Sequence, residues 1–123
     1  MLKLVFCLRR LSPLSRTEFH RYWWETHGPL VRRHAGALAI RRYVQLHTLD
    51  DALQETLQAS RGGPDAYDGV AELWWESRDA LVAAMESAAG RAAALELLED
   101  ERRFIDLARS PLFVAQEKTV LDG

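Results

Sequence analysis

The chain has 123 residues, of which 48% are apolar and 28% charged, with a formal net charge of -2. That is the balance of one globular domain spanning residues 1–123, without the basic footprint of a nucleic-acid binder. No apolar run approaches the ~20 residues of a membrane span, and the lone Cys7 excludes an intrachain disulfide and a CxxC zinc or redox motif.

Leu2 to Leu8 is apolar without alternation and reads as a strand covered on both faces. Lys3 and Arg9 bracket a stretch too short for a signal-peptide core, so a cytoplasmic setting is expected. The Ser12-Pro13 turn ends the strand. Ser15 and Glu18 then have capping-box spacing, and Phe19, Tyr22, Trp23 and Thr26 give the following helix an aromatic face. Gly28-Pro29 interrupts it. Proline has no N–H for the Glu25 carbonyl, so a kink or restart is expected at Pro29, with His27 turned inward and the helix resuming towards Gly36.

Ile40 to Leu49 reads as a second strand, with Tyr43, Gln45 and His47 sharing one face. Asp50 is expected to cap a short helix over Leu53 and Leu57, which Arg61-Gly62-Gly63-Pro64 breaks. Val70 to Trp75 is a third strand, with Val70, Glu72 and Trp74 on one face. Ser77 is an N-cap candidate for a helix over Leu81, Val82 and Met85. Gly90 is expected to break that pattern before a helix from about Arg91 to Ala108. Leu112 to Val120 is the fourth strand.

The order β-α-β-β-α-β is that of an α+β, ferredoxin-like subunit: a four-stranded antiparallel sheet with helices on one face. The strands are apolar on both sides, and one helical layer cannot cover both. A homodimer packed through the open sheet faces is therefore expected.

The stretch Leu14 to Leu30, with Ser15, Glu18, Phe19, Tyr22, Trp23, His27, Gly28 and Pro29, resembles the S-x-x-E-F-x-x-Y-W-x-x-x-H-G-P pattern of the EthD family. Asp68 to Trp74 resembles that family's third strand. Asp100 to Asp106 and Ser110 to Glu117 resemble its last helix and strand. The resemblance implies a dimeric α+β barrel. It also implies a role in oxidative ether degradation, or decarboxylation or dehydration of aromatic polyketide intermediates. The wider superfamily includes lactone isomerases, cofactor-free oxygenases and haem-degrading enzymes, so the fold is better specified than the reaction.

Within that frame the catalytic candidates are His27, His47 and Glu72. His27 is either an acid-base group or a packing histidine at the Pro29 break. His47 is either on the inner face as a second acid-base group or at a solvated strand end. Glu72, in an apolar strand, is either buried as a proton carrier or paired with an arginine. Tyr22 or Tyr43 would hydrogen-bond a developing oxyanion, and Trp23, Gln45 and Trp74 complete the substrate-binding candidates. Antiparallel pairing of strands two and three is expected to bring His47 and Glu72 together on the barrel-lining face, with His27 closing one end. His20, His27 and His34 recur every seven residues. That spreads them by about 10.5 Å per step on a helix, too far for one metal ion. The expected protein is thus an enzyme using no cofactor or metal. It would act by proton transfer on a small cyclic or aromatic substrate, the alternatives being a non-catalytic accessory or binding protein of an oxidative degradation or polyketide pathway, or a cofactor-free or haem-dependent oxidoreductase.

Overall fold

The computed structural model describes residues 1–123. Its strands are β1 (Leu2–Leu8), β2 (Arg42–His47), β3 (Gly69–Trp75) and β4 (Leu112–Gln116). Between β1 and β2 run α1 (Arg16–Tyr22), a π-helical turn (Trp23–His27) and α2 (Gly28–His34). The helix α3 (Ala52–Arg61) links β2 to β3, and α4 (Arg78–Glu86) and α5 (Ala88–Glu101) link β3 to β4. The strand order is β2-β3-β1-β4 with every pairing antiparallel, which is the ferredoxin-like topology.

The register fixes the two faces. Leu4, Phe6 and Leu8 of β1 oppose Leu73, Ala71 and Gly69 of β3, and these in turn oppose Tyr43, Gln45 and His47 of β2. This set faces the helices, because Leu8 and Ala71 pack in one cluster with Phe19, Trp23, Phe104 and Ile105. A second cluster joins Val31 and Leu38 to Ala93 and Leu97 of α5. Trp75 packs on the helix side with its indole N–H on the Leu38 carbonyl, so Trp74 takes the open face.

The chain lays Trp23 flat on the sheet only because residue 69 lacks a side chain. A Cβ there would sit 2.4 Å from the Trp23 ring. Gly69→Ala is therefore expected to destabilise the fold by about 2–3 kcal/mol through overpacking, read as a lower denaturant midpoint at unchanged slope.

Local signals explain most element ends. The Ser15–Glu18 capping box forms in both directions. Ser77 caps α4 as expected. Several boundaries differ. Asp51, not Asp50, caps α3, its carboxylate accepting from the Leu53 N–H. The break before α5 is Ser87, whose hydroxyl accepts from the Gly90 N–H, so Gly90 lies inside the first turn. Gly90 is needed there because a Cβ would meet the Ala84 carbonyl at 1.8 Å. The helix α5 stops at Glu101, and Phe104 and Ile105 enter the core from the turn beyond it. Finally, β2 begins at Arg42 and β4 ends at Gln116, both shorter than expected.

Candidate functional site

The π-helical turn is the first positioning device. Pro29 cannot complete the α-helical ladder, and the Gly28 N–H instead reaches five residues back to the Trp23 carbonyl. Helical dihedrals persist through the change, so the helix restarts at Gly28 without unwinding. His27, at the end of the turn, is buried at 5% exposure.

Its partner is Asp100 on α5. His27 Nδ1 lies 2.7 Å from Asp100 Oδ2, and the other carboxylate oxygen accepts from the Tyr22 hydroxyl at 2.5 Å and the Arg103 guanidinium at 3.0 Å. Burial pushes the Asp100 carboxyl up, but donors from Tyr22, His27 and Arg103 outweigh it and hold it below its ordinary value. Burial lowers the His27 imidazole, and that outweighs the opposing pull of Asp100. Above its ordinary value near 6.5 His27 is therefore neutral. An ionised carboxylate only accepts, so the proton sits on Nδ1 and Nε2 keeps its lone pair. No protein group hydrogen-bonds that nitrogen. A carboxylate that fixes the tautomer and orientation of a neutral histidine is the arrangement of a general base.

The second device is the inner face of β2. The Gln45 amide donates to the Trp23 carbonyl at 3.0 Å and the Tyr43 hydroxyl at 2.8 Å, and its oxygen faces His47 Nε2 at 2.8 Å. With both amide hydrogens committed, the oxygen must accept, so His47 carries its proton on Nε2. The His47 ring stacks on Trp23 at 4.6 Å and lies 4.6 Å from His20. Burial, then the neighbouring His20, lowers it. Burial also pushes the Tyr43 phenol up to about 12. Glu101 belongs to the same interior: burial, then the charge of Asp100, pushes it up to about 7.

The expected meeting of His47 with Glu72 does not form. His47 opposes Gly69 on the helix side, whereas Glu72 opposes Val44 on the open side. Alternation within each strand is as expected, but the two sets fall on opposite faces of the sheet. Glu72 pairs with Lys3 at 2.9 Å rather than with an arginine. Trp74 is likewise on the open face, with Lys3 at 4.6 Å and Arg42 at 4.7 Å from its ring and its N–H on Glu117. Tyr22, Trp23, Tyr43, Gln45, His27 and His47 all lie on the helix side. The three histidines spaced by seven serve separate partners: His20 the Asp68 carbonyl, His27 Asp100 and His34 Glu96. No three His, Cys, Asp or Glu side chains gather in a metal-binding group.

Two site residues escaped the sequence, Asp100 and Glu101. They lie 73 and 74 positions from His27, and the local signal was the acidic run Glu99-Asp100-Glu101 that ends a helix.

A family model for the EthD domain matches residues 11–108. The chain belongs to the EthD family. Solved structures agree with this chain's fold. An EthD-family protein from Bacillus halodurans C-125 superposes with a TM-score of 0.63 at 19% identity, covering 96% of this chain and 99% of that one. An EthD-like protein from Ralstonia eutropha JMP134 gives 0.57 at 19% identity, covering 94% and 90%. SnoaB from Streptomyces nogalater, a cofactor-independent oxygenase, gives 0.53 at 14% identity, covering 99% and 97%. No curated protein matches the chain. In this EthD-family chain no helix is long and apolar enough to cross a membrane.

Proposed function

We propose that this EthD-family protein is a small-molecule enzyme whose central step is proton removal by His27, oriented by Asp100. The observation that carries the reading is the buried His27–Asp100 pair with Nε2 left free. A buried charge needs compensation, and Tyr22 and Arg103 supply it to Asp100 without consuming the basic nitrogen. The substrate class is a small cyclic or aromatic compound. The reaction is a decarboxylation, dehydration or isomerisation, with Tyr43, Gln45 and His47 as the hydrogen-bonding wall.

The test is direct. Wild-type and His27→Ala protein are incubated with a metabolite extract and followed by mass spectrometry. A compound consumed by the wild type alone supports the reading. No consumption, or equal consumption by both, overturns it. A second reading is a cofactor-free oxygenase, favoured by the similarity to SnoaB. The same base would then activate the substrate for attack on dioxygen, and consumption would stop under anaerobic conditions.

We further propose that the active form is a homodimer closed through the open sheet face. That face carries Glu72 and Trp74 and leaves Leu46 and Phe113 46% and 49% exposed. Light scattering is expected to return twice the chain mass of 14.0 kDa at micromolar concentration, and a monomer mass would refute the dimer.

A further inference from the structure

A cleft of about 610 Å³ lies between the Trp24–Ala35 stretch and the outer edge strand β2; Tyr43 and Gln45 line its floor, whereas His27 and Asp100 do not line it. Its volume falls within the range that holds small ligands. Three features define what it would take. Arg32, Arg41 and Arg42 line it against a single carboxylate, Glu25, so it is locally positive in a chain of net charge -2. Arg41 is held by Glu76 at 2.5 Å and Arg42 lies over the Trp74 ring. Arg32 has no acidic side chain within 4.0 Å. Glu25 is seven residues before Arg32, a rise of about 10.5 Å along a helix, and leaves that guanidinium uncompensated. Finally, Trp24 lines the cleft while 66% exposed, beside apolar Pro29 and Ile40.

An exposed indole and an uncompensated guanidinium are complementary to one kind of molecule. The ring covers a flat apolar body, and the planar guanidinium fork matches a carboxylate or sulfonate. Phosphate alone would leave the apolar half of the cleft unused. We propose that this cleft binds a planar organic anion, its ring against Trp24 and its acid group on Arg32. The cleft shares Tyr43 and Gln45 with the substrate wall proposed above, but its two recognition groups, Trp24 and Arg32, lie outside the proton-transfer machinery and can be tested separately from it.

The experiment is calorimetric titration with 2-naphthoate and its neutral isostere 2-naphthamide. The protein is used as wild type, Arg32→Gln, Trp24→Ser and His27→Ala. The three side chains differ in location, and those of Arg32 and Trp24 are exposed, so their substitution leaves the core intact. Naphthoate is expected to bind the wild type at least about tenfold more tightly than naphthamide, the scale of one charge-assisted contact. Arg32→Gln is expected to erase that preference, Trp24→Ser to weaken both ligands, and His27→Ala to leave naphthoate affinity unchanged. Equal affinity for acid and amide, absence of binding, or a preference that survives Arg32→Gln would overturn the proposal. So would loss of binding in folded His27→Ala, which would place the ligand in the interior. Failure of the metabolite test leaves this result untouched, and the converse also holds.

Discussion

His27→Ala is expected to lower turnover about 10³-fold, the middle of the range for removing a positioned acid-base group. The protein should still fold, because the change removes a neutral imidazole and leaves Asp100 with Tyr22 and Arg103. Asp100→Asn is the sharper companion. An asparagine amide at position 100 can donate to Nδ1, which moves the histidine proton to Nε2 and removes the base while keeping the shape. A loss of about 10²–10⁴-fold is expected, by the tautomer argument that holds for triad histidines. The pH profile separates chemistry from structure. His27 is held below its ordinary value of 6.5, so kcat/KM should rise along an acid limb below that pH and then level off. A His27→Ala enzyme within tenfold of wild type, or one keeping the same acid limb, would remove His27 from the chemistry.

Asp68→Ala is expected to give the largest stability loss, about 2–4 kcal/mol. Asp68 is 3% exposed, yet it charges the entrance to β3. It accepts from the Arg10 N–H at 2.8 Å, from the Arg10 guanidinium and from Arg16 Nε at 3.1 Å. Removing the carboxylate strands these donors beside the core. The value falls below that for breaking a fully buried pair because Arg10 and Arg16 keep contact with water. Burial pushes the Asp68 carboxyl up, but the Arg10 and Arg16 donors outweigh it and hold it below its ordinary 3.8. A depressed carboxylate gives stability above its unfolded value and loses it as the pH falls through its folded value. The difference between wild type and Asp68→Asn should therefore be constant near neutrality and close below pH 3.8. Urea titrations across that range check it. A difference that stays constant into strong acid would show that the ionised carboxylate is not the stabilising form.

The inward turn of His27 was legible because its causes are local. Proline has no N–H, the helix must change its ladder within one turn, and the aromatic residues four and eight positions earlier, Trp23 and Phe19, mark the buried side. The capping box at Ser15 and the cap at Ser77 are likewise events of three or four residues. The partner of His27 was not legible in this way. Asp100 meets it only because α5 crosses the sheet beside the π-turn, and nothing near position 27 specifies that meeting.

The faces of the sheet divide in the same manner. The sequence by itself determined four strands, their order and which residues alternate together, because a strand's period of two is a property of its own backbone. It did not determine that Tyr43, Gln45 and His47 lie with Ala71 and Leu73 while Glu72 and Trp74 lie with Lys3 and Arg42. That choice belongs to the register between strands, where a shift of one residue exchanges every side chain between core and open face. Packing made it. Trp23 needs a bare backbone beneath its ring, Gly69 provides it, and the position opposite Gly69 in β2 is His47. Once Trp23 is seated, His47 and Gln45 are held on the helix side, and Glu72 is left to meet Lys3 across the other face.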